Sequence, residues 1–159
     1  MLQPFSGEDR IRQGSPISRA GAYFKRRAAS GLRAGASPRF YIALLLGFFA
    51  WLLPKPGISP PLYFLALSAL AEEAFFRLLL QGEIHRLVPS GYILPGLSLA
   101  NAFTSFIFAA THLLFHPPLW AAAVFLPSLV FGWAMDRYQS LMPPVLLHFF
   151  YNLLYFYRL

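Results

Sequence analysis

The sequence contains no cysteine, and charged residues are scarce. Only 12% of its 159 residues are charged, against about 25% in an ordinary soluble domain. The lack of cysteine excludes a disulfide framework, a cysteine-based zinc or iron–sulfur site and a thiolate nucleophile. What is present is mainly apolar, since 57% of the residues are hydrophobic and 18% are aromatic. A soluble core of this size could not bury so much apolar surface, which predicts an integral membrane protein.

Basic residues are concentrated at the N-terminus. Residues 1–39 hold eight of the 13 Lys and Arg residues and only two acidic ones, Glu8 and Asp9. This stretch lacks the apolar core of a signal peptide, and because the basicity is confined to it, we expect no nucleic-acid partner. We predict a disordered cytoplasmic tail over residues 1–39 that is attracted to anionic lipid headgroups, followed by a membrane domain over residues 40–159. An organellar transit peptide or a misassigned start codon is the alternative.

From residue 40 the sequence consists of apolar runs separated by prolines and short polar turns. These runs are too long for the strands of a membrane barrel and favour membrane-spanning helices, which need about 20 residues. The runs are Phe40–Leu53, Pro61–Gln81, Tyr92–Phe115, Leu119–Met135 and Leu141–Tyr157. Because the first run is short, the prediction is an all-α, polytopic transmembrane helical bundle of four to five spans. The distribution of Lys and Arg between the connecting loops predicts a cytoplasmic N-terminus.

Polar and ionisable side chains interrupt three of these runs. They are Glu72, Glu73 and Arg77 in the second run, His112 in the third, and His148 with Asn152 in the fifth. An ionisable group costs about 2.5–3.5 kcal/mol on insertion, so such groups mark functional sites. Glu73 and Arg77 are four residues apart and can pair on one helix face, whereas Glu72 points elsewhere and is predicted to be available for proton transfer. A purely structural, neutralising cluster is the alternative.

Two imidazoles and an amide complete a set of groups that can hydrolyse an amide bond without a covalent intermediate. Glu72 and His112 would hold and deprotonate a water molecule. His148 and Asn152, which project from the same face of the last helix, would donate hydrogen bonds to the resulting oxyanion. This chemistry needs no metal ion and no cofactor. Taken alone, His112 is more often a packing residue than a catalyst, and His148 could form an ordinary interhelical hydrogen bond.

The same residues form three separated motifs. They read Glu72-Glu73-Ala74-Phe75-Phe76-Arg77, Phe108-Ala109-Ala110-Thr111-His112 and His148-Phe149-Phe150-Tyr151-Asn152. In order and spacing they resemble the motifs of the CAAX protease and bacteriocin-processing (Abi) family of intramembrane glutamic endopeptidases. The family motifs are Glu-Glu-x-x-x-Arg, Phe-x-x-x-His and His-x-x-x-Asn or His-x-x-x-Asp. The resemblance covers residues 62–152. Because the eukaryotic prenyl-protein proteases of that family have about eight spans, the chain resembles a minimal bacterial form.

The resemblance implies an activity, a location and a set of functional residues. It implies a metal-independent peptide hydrolase in a bacterial inner membrane. The substrate would be a membrane-anchored protein or peptide, cut near a C-terminal tail, sorting signal, leader or prenylated end. By this resemblance the catalytic residues are Glu72, His112, His148 and Asn152, and the supporting residues are Glu73, Arg77 and Phe108. The motif leaves open which of the two adjacent glutamates is the base.

Three other functions fit part of the pattern. A non-catalytic immunity or scaffold protein of the same fold would not need every motif residue. A metalloprotease would bind zinc through Glu72, His112 and His148, and a proton-coupled transporter would use the same groups as a relay. For a hydrolase, the run ends raise a difficulty, because they put the two histidines more than about 10 Å apart in depth. We expect Phe115–Pro118 to be a buried re-entrant turn, because a protein-lined cavity could satisfy the backbone groups that Pro117 and Pro118 leave free. The alternative is that the run ends are drawn wrongly.

Overall fold

The computed structural model describes residues 31–54, 56–88, 91–94 and 96–158, which are mostly helical. In chain order the elements are α1 Pro38–Leu46, a 3₁₀ segment Gly47–Leu52, α2 Leu62–Glu73, a π segment Ala74–Gln81, α3 Gly82–Leu87, β1 Tyr92–Leu94, β2 Leu97–Ser98, α4 Leu99–His112, α5 Pro118–Ala123, α6 Phe125–Tyr138 and α7 Met142–Tyr157. The predicted all-α class is therefore confirmed.

Proline and serine set several helix starts. Pro38 and Pro118 occupy the first turns of α1 and α5, where a missing backbone N–H costs no hydrogen bond. At the start of α4, the Ser98 hydroxyl accepts a hydrogen bond from the backbone N–H of Asn101 at 3.0 Å. This is an N-terminal cap, typically worth about 1 kcal/mol. These starts fix which residues of each helix face the interior.

The predicted third span begins too early. Instead of a helix from Tyr92, the chain forms a short antiparallel hairpin between β1 and β2, and α4 begins only at Leu99. A Pro-Gly pair at residues 95–96 is a strong turn signal, and Gly96 has φ 87°, a conformation that favours glycine. The turn chemistry therefore outweighs the apolar run, and α4 has 14 residues.

One long helical element carries the first motif. Helix α2, the π segment and α3 follow one another without a break from Leu62 to Leu87. At a rise of about 1.5 Å per residue, this element is long enough to cross a bilayer core of about 30 Å. Glu72 and Glu73 lie near its middle, directly before the π segment. Wider π turns inside α-helices occur frequently at functional sites.

The distribution of polarity is the inverse of that in a soluble domain. Seven polar or charged residues of the described part are completely buried: Glu73, Arg77, Ser98, Asn101, Thr104, Ser105 and Ser128. Large apolar side chains cover the outside, among them Leu67, Leu79, Phe103, Phe106 and Leu126, each more than half exposed. Such a surface is stable against lipid and would aggregate in water. By length and composition, one helical stretch among the described residues qualifies as a span: Pro118–Tyr138, which comprises α5 and α6 and has a mean hydropathy of 1.6. The predicted number of four to five spans therefore stays a prediction.

The boundary between the predicted tail and the membrane domain falls at residue 39, close to the start of α1 at Pro38. Residues 1–30, with most of the basic side chains, lie outside the described residues. Residues 31–34 are helical, and Ala34 is buried in a cluster with Phe40 and Tyr138. The end of the predicted tail is thus packed on the bundle, while the disorder of residues 1–30 stays a prediction.

We expect substitution of Gly132 to be strongly destabilising. A Cβ at this position would lie 1.9 Å from Asn101 Oδ1 and 2.9 Å from Gln81 Oε1. Asn101 cannot move aside easily, because its amide donates to the Leu129 carbonyl at 2.9 Å and accepts from Ser105 at 3.0 Å. Overpacking of this kind costs about 3 kcal/mol. Thermal unfolding of Gly132→Ala in detergent should show the loss.

Gly57 provides the matched control for this prediction. A Cβ on Gly57 meets nothing within 4 Å, so Gly57→Ala should melt within a degree or two of the wild type. Equal melting temperatures for the two variants would mean that α4 and α6 are not in close contact at Gly132.

Candidate active site

The last residue of α2 and two residues of the π segment form a row of buried polar side chains. Glu73, Arg77 and Gln81 are spaced by four residues, and all three are at most 1% exposed. In a π turn, which holds more than four residues, this spacing keeps the side chains on one face. This row of polar groups is the scaffold of the site.

All three nitrogens of the Arg77 guanidinium donate hydrogen bonds to neighbouring residues. Nε donates to Glu73 Oε2 at 2.9 Å, Nη1 donates to Gln81 Oε1 at 3.2 Å, and Nη2 donates to the hydroxyl and the carbonyl of Ser128 at 2.7 and 3.1 Å. The predicted Glu73–Arg77 pair is present, and it is completely buried. Because a buried pair is costly unless all its hydrogen bonds are satisfied, Gln81 and Ser128 are required for its stability.

His148 joins the buried pair from the last helix. Its Nδ1 lies 2.8 Å from Glu73 Oε1, and its ring stacks on Phe131 with centroids 4.8 Å apart. An ionised carboxylate can only accept a hydrogen bond, so Nδ1 carries a hydrogen and donates the hydrogen bond to Glu73. The other ring nitrogen, Nε2, is thereby directed away from Glu73 and lies 4.0 Å from Glu72 Oε2.

The two adjacent glutamates have different environments. Both carboxylate oxygens of Glu73 are occupied, one by Arg77 and one by His148. The side chain of Glu72 is 36% exposed, and its ion-pair contact within the described part of the chain is the one with His148 at 4.0 Å. A separation of this size leaves room for a bridging water molecule. Glu72 is therefore the glutamate whose carboxylate is accessible.

The Phe108 ring joins the two histidines. The ring centroid of His112 lies 4.6 Å from that of Phe108, and the His148 centroid lies 6.0 Å from the same ring. Two histidines that contact one phenyl ring can face a common site, so the difficulty raised by the run ends does not hold. The expected buried turn at Phe115–Pro118 is wrong, because Phe115 is 82% exposed.

His112 is oriented by its own helix. Its Nδ1 lies 2.8 Å from the Phe108 carbonyl oxygen, which can only accept, so Nδ1 donates. In the neutral ring, Nε2 then carries a lone pair that can accept a hydrogen bond from water. This is the tautomer that a water-holding histidine needs.

Asn152 lies one turn beyond His148 on α7 and is half-buried. Its side chain makes no hydrogen bond with any of the residues described here, and the structure records no contact that joins it to Glu72 or His112. Its position on the face of His148 agrees with the spacing, but its predicted role stays a prediction.

An aromatic rim extends from His112. Trp120 lies 5.8 Å from His112 and 3.8 Å from His116, measured between ring centroids, and its indole N–H donates to the Tyr155 hydroxyl at 3.0 Å. The hydrogen bond between Trp120 and Tyr155 joins α5 to α7 on the side of the site where His112 lies. These residues carry no motif, so sequence patterns could not identify them.

Other functional neighbours were also missed. Ser128 and Asp136 belong to α6, where neither stands at a recognisable spacing from another polar group. Gln81 could have been found, because it continues the four-residue spacing of Glu73 and Arg77.

In the zinc alternative, Glu72, His112 and His148 would surround a metal ion. Among the described residues, no group of three His, Asp or Glu side chains is arranged to hold one.

Comparison with known proteins identifies the family of the chain. A protein-family model described as type II CAAX prenyl endopeptidase Rce1-like matches residues 54–154, which include all three motifs. At the level of the family, this is a group of membrane-embedded CAAX-type proteases. The chain belongs to this family, and the resemblance deduced from the motifs is confirmed. Neither a curated protein nor a solved structure matches the chain.

Proposed function

We propose that the chain is an intramembrane glutamic-type endopeptidase in which Glu72 activates the hydrolytic water. The observation that carries this proposal is the difference between the adjacent glutamates. Glu73 is completely buried and bound by Arg77 and His148, whereas Glu72 is open and no closer than 4.0 Å to His148. A carboxylate that is exposed and free of close ion pairs can take a proton from water.

The proposed reaction needs no covalent intermediate. The water is held between Glu72 and the free Nε2 of His112. Its oxygen attacks the scissile carbonyl carbon while one proton passes to the Glu72 carboxylate. The protonated Glu72 then gives this proton to the leaving amine nitrogen as the C–N bond breaks, and its carboxylate is restored.

The oxyanion of the tetrahedral intermediate would be bound by His148 and Asn152. In this scheme His148 is an imidazolium, which donates Nδ1–H to Glu73 and has Nε2–H free for the oxyanion. The two carboxylates of Glu72 and Glu73 are then balanced by this imidazolium and by the Arg77 guanidinium. Because the surroundings are apolar, each donor contributes strongly, and the loss of one typically lowers kcat by about 10²–10³-fold.

The substrate, by the same proposal, is a membrane-anchored protein or peptide. The apolar exterior agrees with a site inside a bilayer, and the membrane is proposed to be a bacterial inner membrane, with a cytoplasmic N-terminus. Cleavage near a C-terminal tail, a sorting signal, a leader or a prenylated end is the expected kind of reaction. Residues 1–39 would bind anionic lipid headgroups, and the reaction would use no metal ion or cofactor.

A panel of membrane-anchored reporter peptides tests this function. Purified wild-type protein in liposomes should cleave at least one member, with and without a chelator. His148→Ala should lose about 10³-fold in rate, because it removes the oxyanion donor and the partner of Glu73. Loss of wild-type cleavage after chelation would contradict the glutamic mechanism and favour the zinc alternative.

A further inference from the structure

A second polar group lies beyond Gln81, at the end of the long helical element. Asp136 on α6 accepts three hydrogen bonds: from Gln81 Nε2 at 2.7 Å and His85 Nε2 at 3.0 Å on Oδ1, and from the Ser98 hydroxyl at 2.6 Å on Oδ2. Its side chain is 8% exposed. These contacts tie α6 to the π segment, to α3 and to β2, and the proposed reaction uses none of them.

Gln81 connects this group to the candidate active site. Its amide nitrogen donates to Asp136 and, at 3.1 Å, to the Gly132 carbonyl, while its amide oxygen accepts from Arg77 Nη1 at 3.2 Å. A continuous series of hydrogen bonds therefore runs from Asp136 through Gln81, Arg77 and Glu73 to His148.

The orientation of the Gln81 side-chain amide determines whether this series of hydrogen bonds can form. A carboxylate and a carbonyl can only accept, so Asp136 and Gly132 require the NH₂ group on their side. The amide oxygen must then face Arg77, whose guanidinium can only donate. With the amide reversed, NH₂ would meet a guanidinium N–H, and Arg77 would be pushed away from its contact with Glu73.

We infer that Asp136 is a positioning residue for the active site, and that it acts by fixing the Gln81 amide so that Arg77 stays bound to Glu73 and Glu73 to His148. This inference rests on the proposed function for its catalytic consequence. A polar cavity of about 300 Å³ lies beside Arg77, Gln81, His85 and Asp136. Because of this space, the amide has room to turn once Asp136 no longer holds it.

The readout of the test is the hydrogen bond from His148 Nδ1–H to Glu73, so the test needs no substrate. The full-length protein is labelled with ¹⁵N-histidine in lipid nanodiscs. It has 4 histidines, and the His148 signal is assigned by its loss in His148→Ala. In the wild type, the proton between Nδ1 and Glu73 should give a downfield resonance protected from exchange with water. In Asp136→Leu, which removes both acceptor oxygens, this resonance should move upfield and lose its protection.

A rescue variant separates positioning from stability. In the double variant Asp136→Asn with Gln81→Glu, the amide introduced at position 136 can donate to the carboxylate introduced at position 81, and that carboxylate can accept from Arg77. The total charge is unchanged. The carboxylate at position 81 gives up the hydrogen bond to the Gly132 carbonyl, so the double variant should restore the His148 resonance in part. Gln81→Glu alone places two carboxylates against each other and should lose it. Glu83→Gln is the control, because Glu83 is 61% exposed and pairs with Arg86 on the surface.

The outcomes either support or overturn the inference. A folded Asp136→Leu protein with an unchanged His148 resonance overturns it, and so does a double variant that shows no more of the resonance than Gln81→Glu alone. Should Asp136→Leu not fold, the double variant alone decides in the same way. Where cleavage is measurable, kcat of Asp136→Leu should fall on the order of tenfold with KM unchanged, and kcat of the double variant should exceed that of Gln81→Glu. Absence of wild-type cleavage would count against the proposed function only, since the resonance would still report on Asp136.

Discussion

Replacement of Glu72 by glutamine should abolish peptide cleavage and leave the fold intact. The amide cannot accept the proton of the attacking water, and the loss of a general base lowers kcat by about 10²–10⁴-fold. Stability should change little, because the Glu72 side chain is 36% exposed and lies 4.0 Å from its partner His148. The measurement is the initial rate of reporter cleavage in liposomes, together with the melting temperature of the same preparation.

The neighbouring glutamate provides the sharpest comparison. Glu73→Gln removes a buried charge that both Arg77 and His148 contact, so this variant should lose stability as well as activity. If Glu72→Gln retained the wild-type rate and Glu73→Gln lost it while still folded, the base would be Glu73. Biological function that survived Glu72→Gln without any cleavage would favour the immunity or scaffold alternative.

Arg77→Met is expected to give the largest loss of stability. Arg77 is 0% exposed and donates hydrogen bonds to Glu73, Gln81 and Ser128. Its removal leaves the Glu73 carboxylate buried without its cation, and breaking a buried pair in this way costs about 3–5 kcal/mol. Unfolding in a series of detergent mixtures measures the loss. Arg77→Lys should recover only part of it, because an ammonium group cannot reproduce the planar set of donors.

Arg86→Met is the matched control for this experiment. Arg86 belongs to the same helical element and pairs with Glu83 at 2.7 Å, but both side chains are more than half exposed. Surface pairs of this kind contribute about 0–1 kcal/mol, so the control should unfold with the wild type. If Arg77→Met were as stable as this control, the buried network would not hold the bundle together.

The local part of the site could be predicted from the sequence. Glu73 and Arg77 are four residues apart on one helix, and so are Phe108 and His112, so helical geometry alone brings each pair together. The difference between Glu72 and Glu73 also follows from helix geometry, because adjacent residues point in different directions. These features need no knowledge of how the helices pack.

The parts that depend on packing could not be predicted. Glu73 and His148 are 75 residues apart, and only the packing of α2 against α7 shows that His148 binds the buried glutamate. Asp136 lies between the fourth and fifth apolar runs, but α6 continues to Tyr138, and the Asp136 side chain is only 8% exposed. The hairpin before α4 was hidden by an apolar run, since hydropathy does not distinguish a buried strand from a helix.

The most direct test of the account is cleavage of one membrane-anchored reporter by the wild type and by Glu72→Gln, both treated with a chelator in the same liposomes. Mass spectrometry identifies the products and the cleavage position. If Glu72 activates the water, the wild type should make a single hydrolytic cut at a rate that the chelator leaves unchanged, and the rate of the variant should be about 10³-fold lower. Equal rates for the two proteins, or a wild-type rate that disappears on chelation, would contradict it.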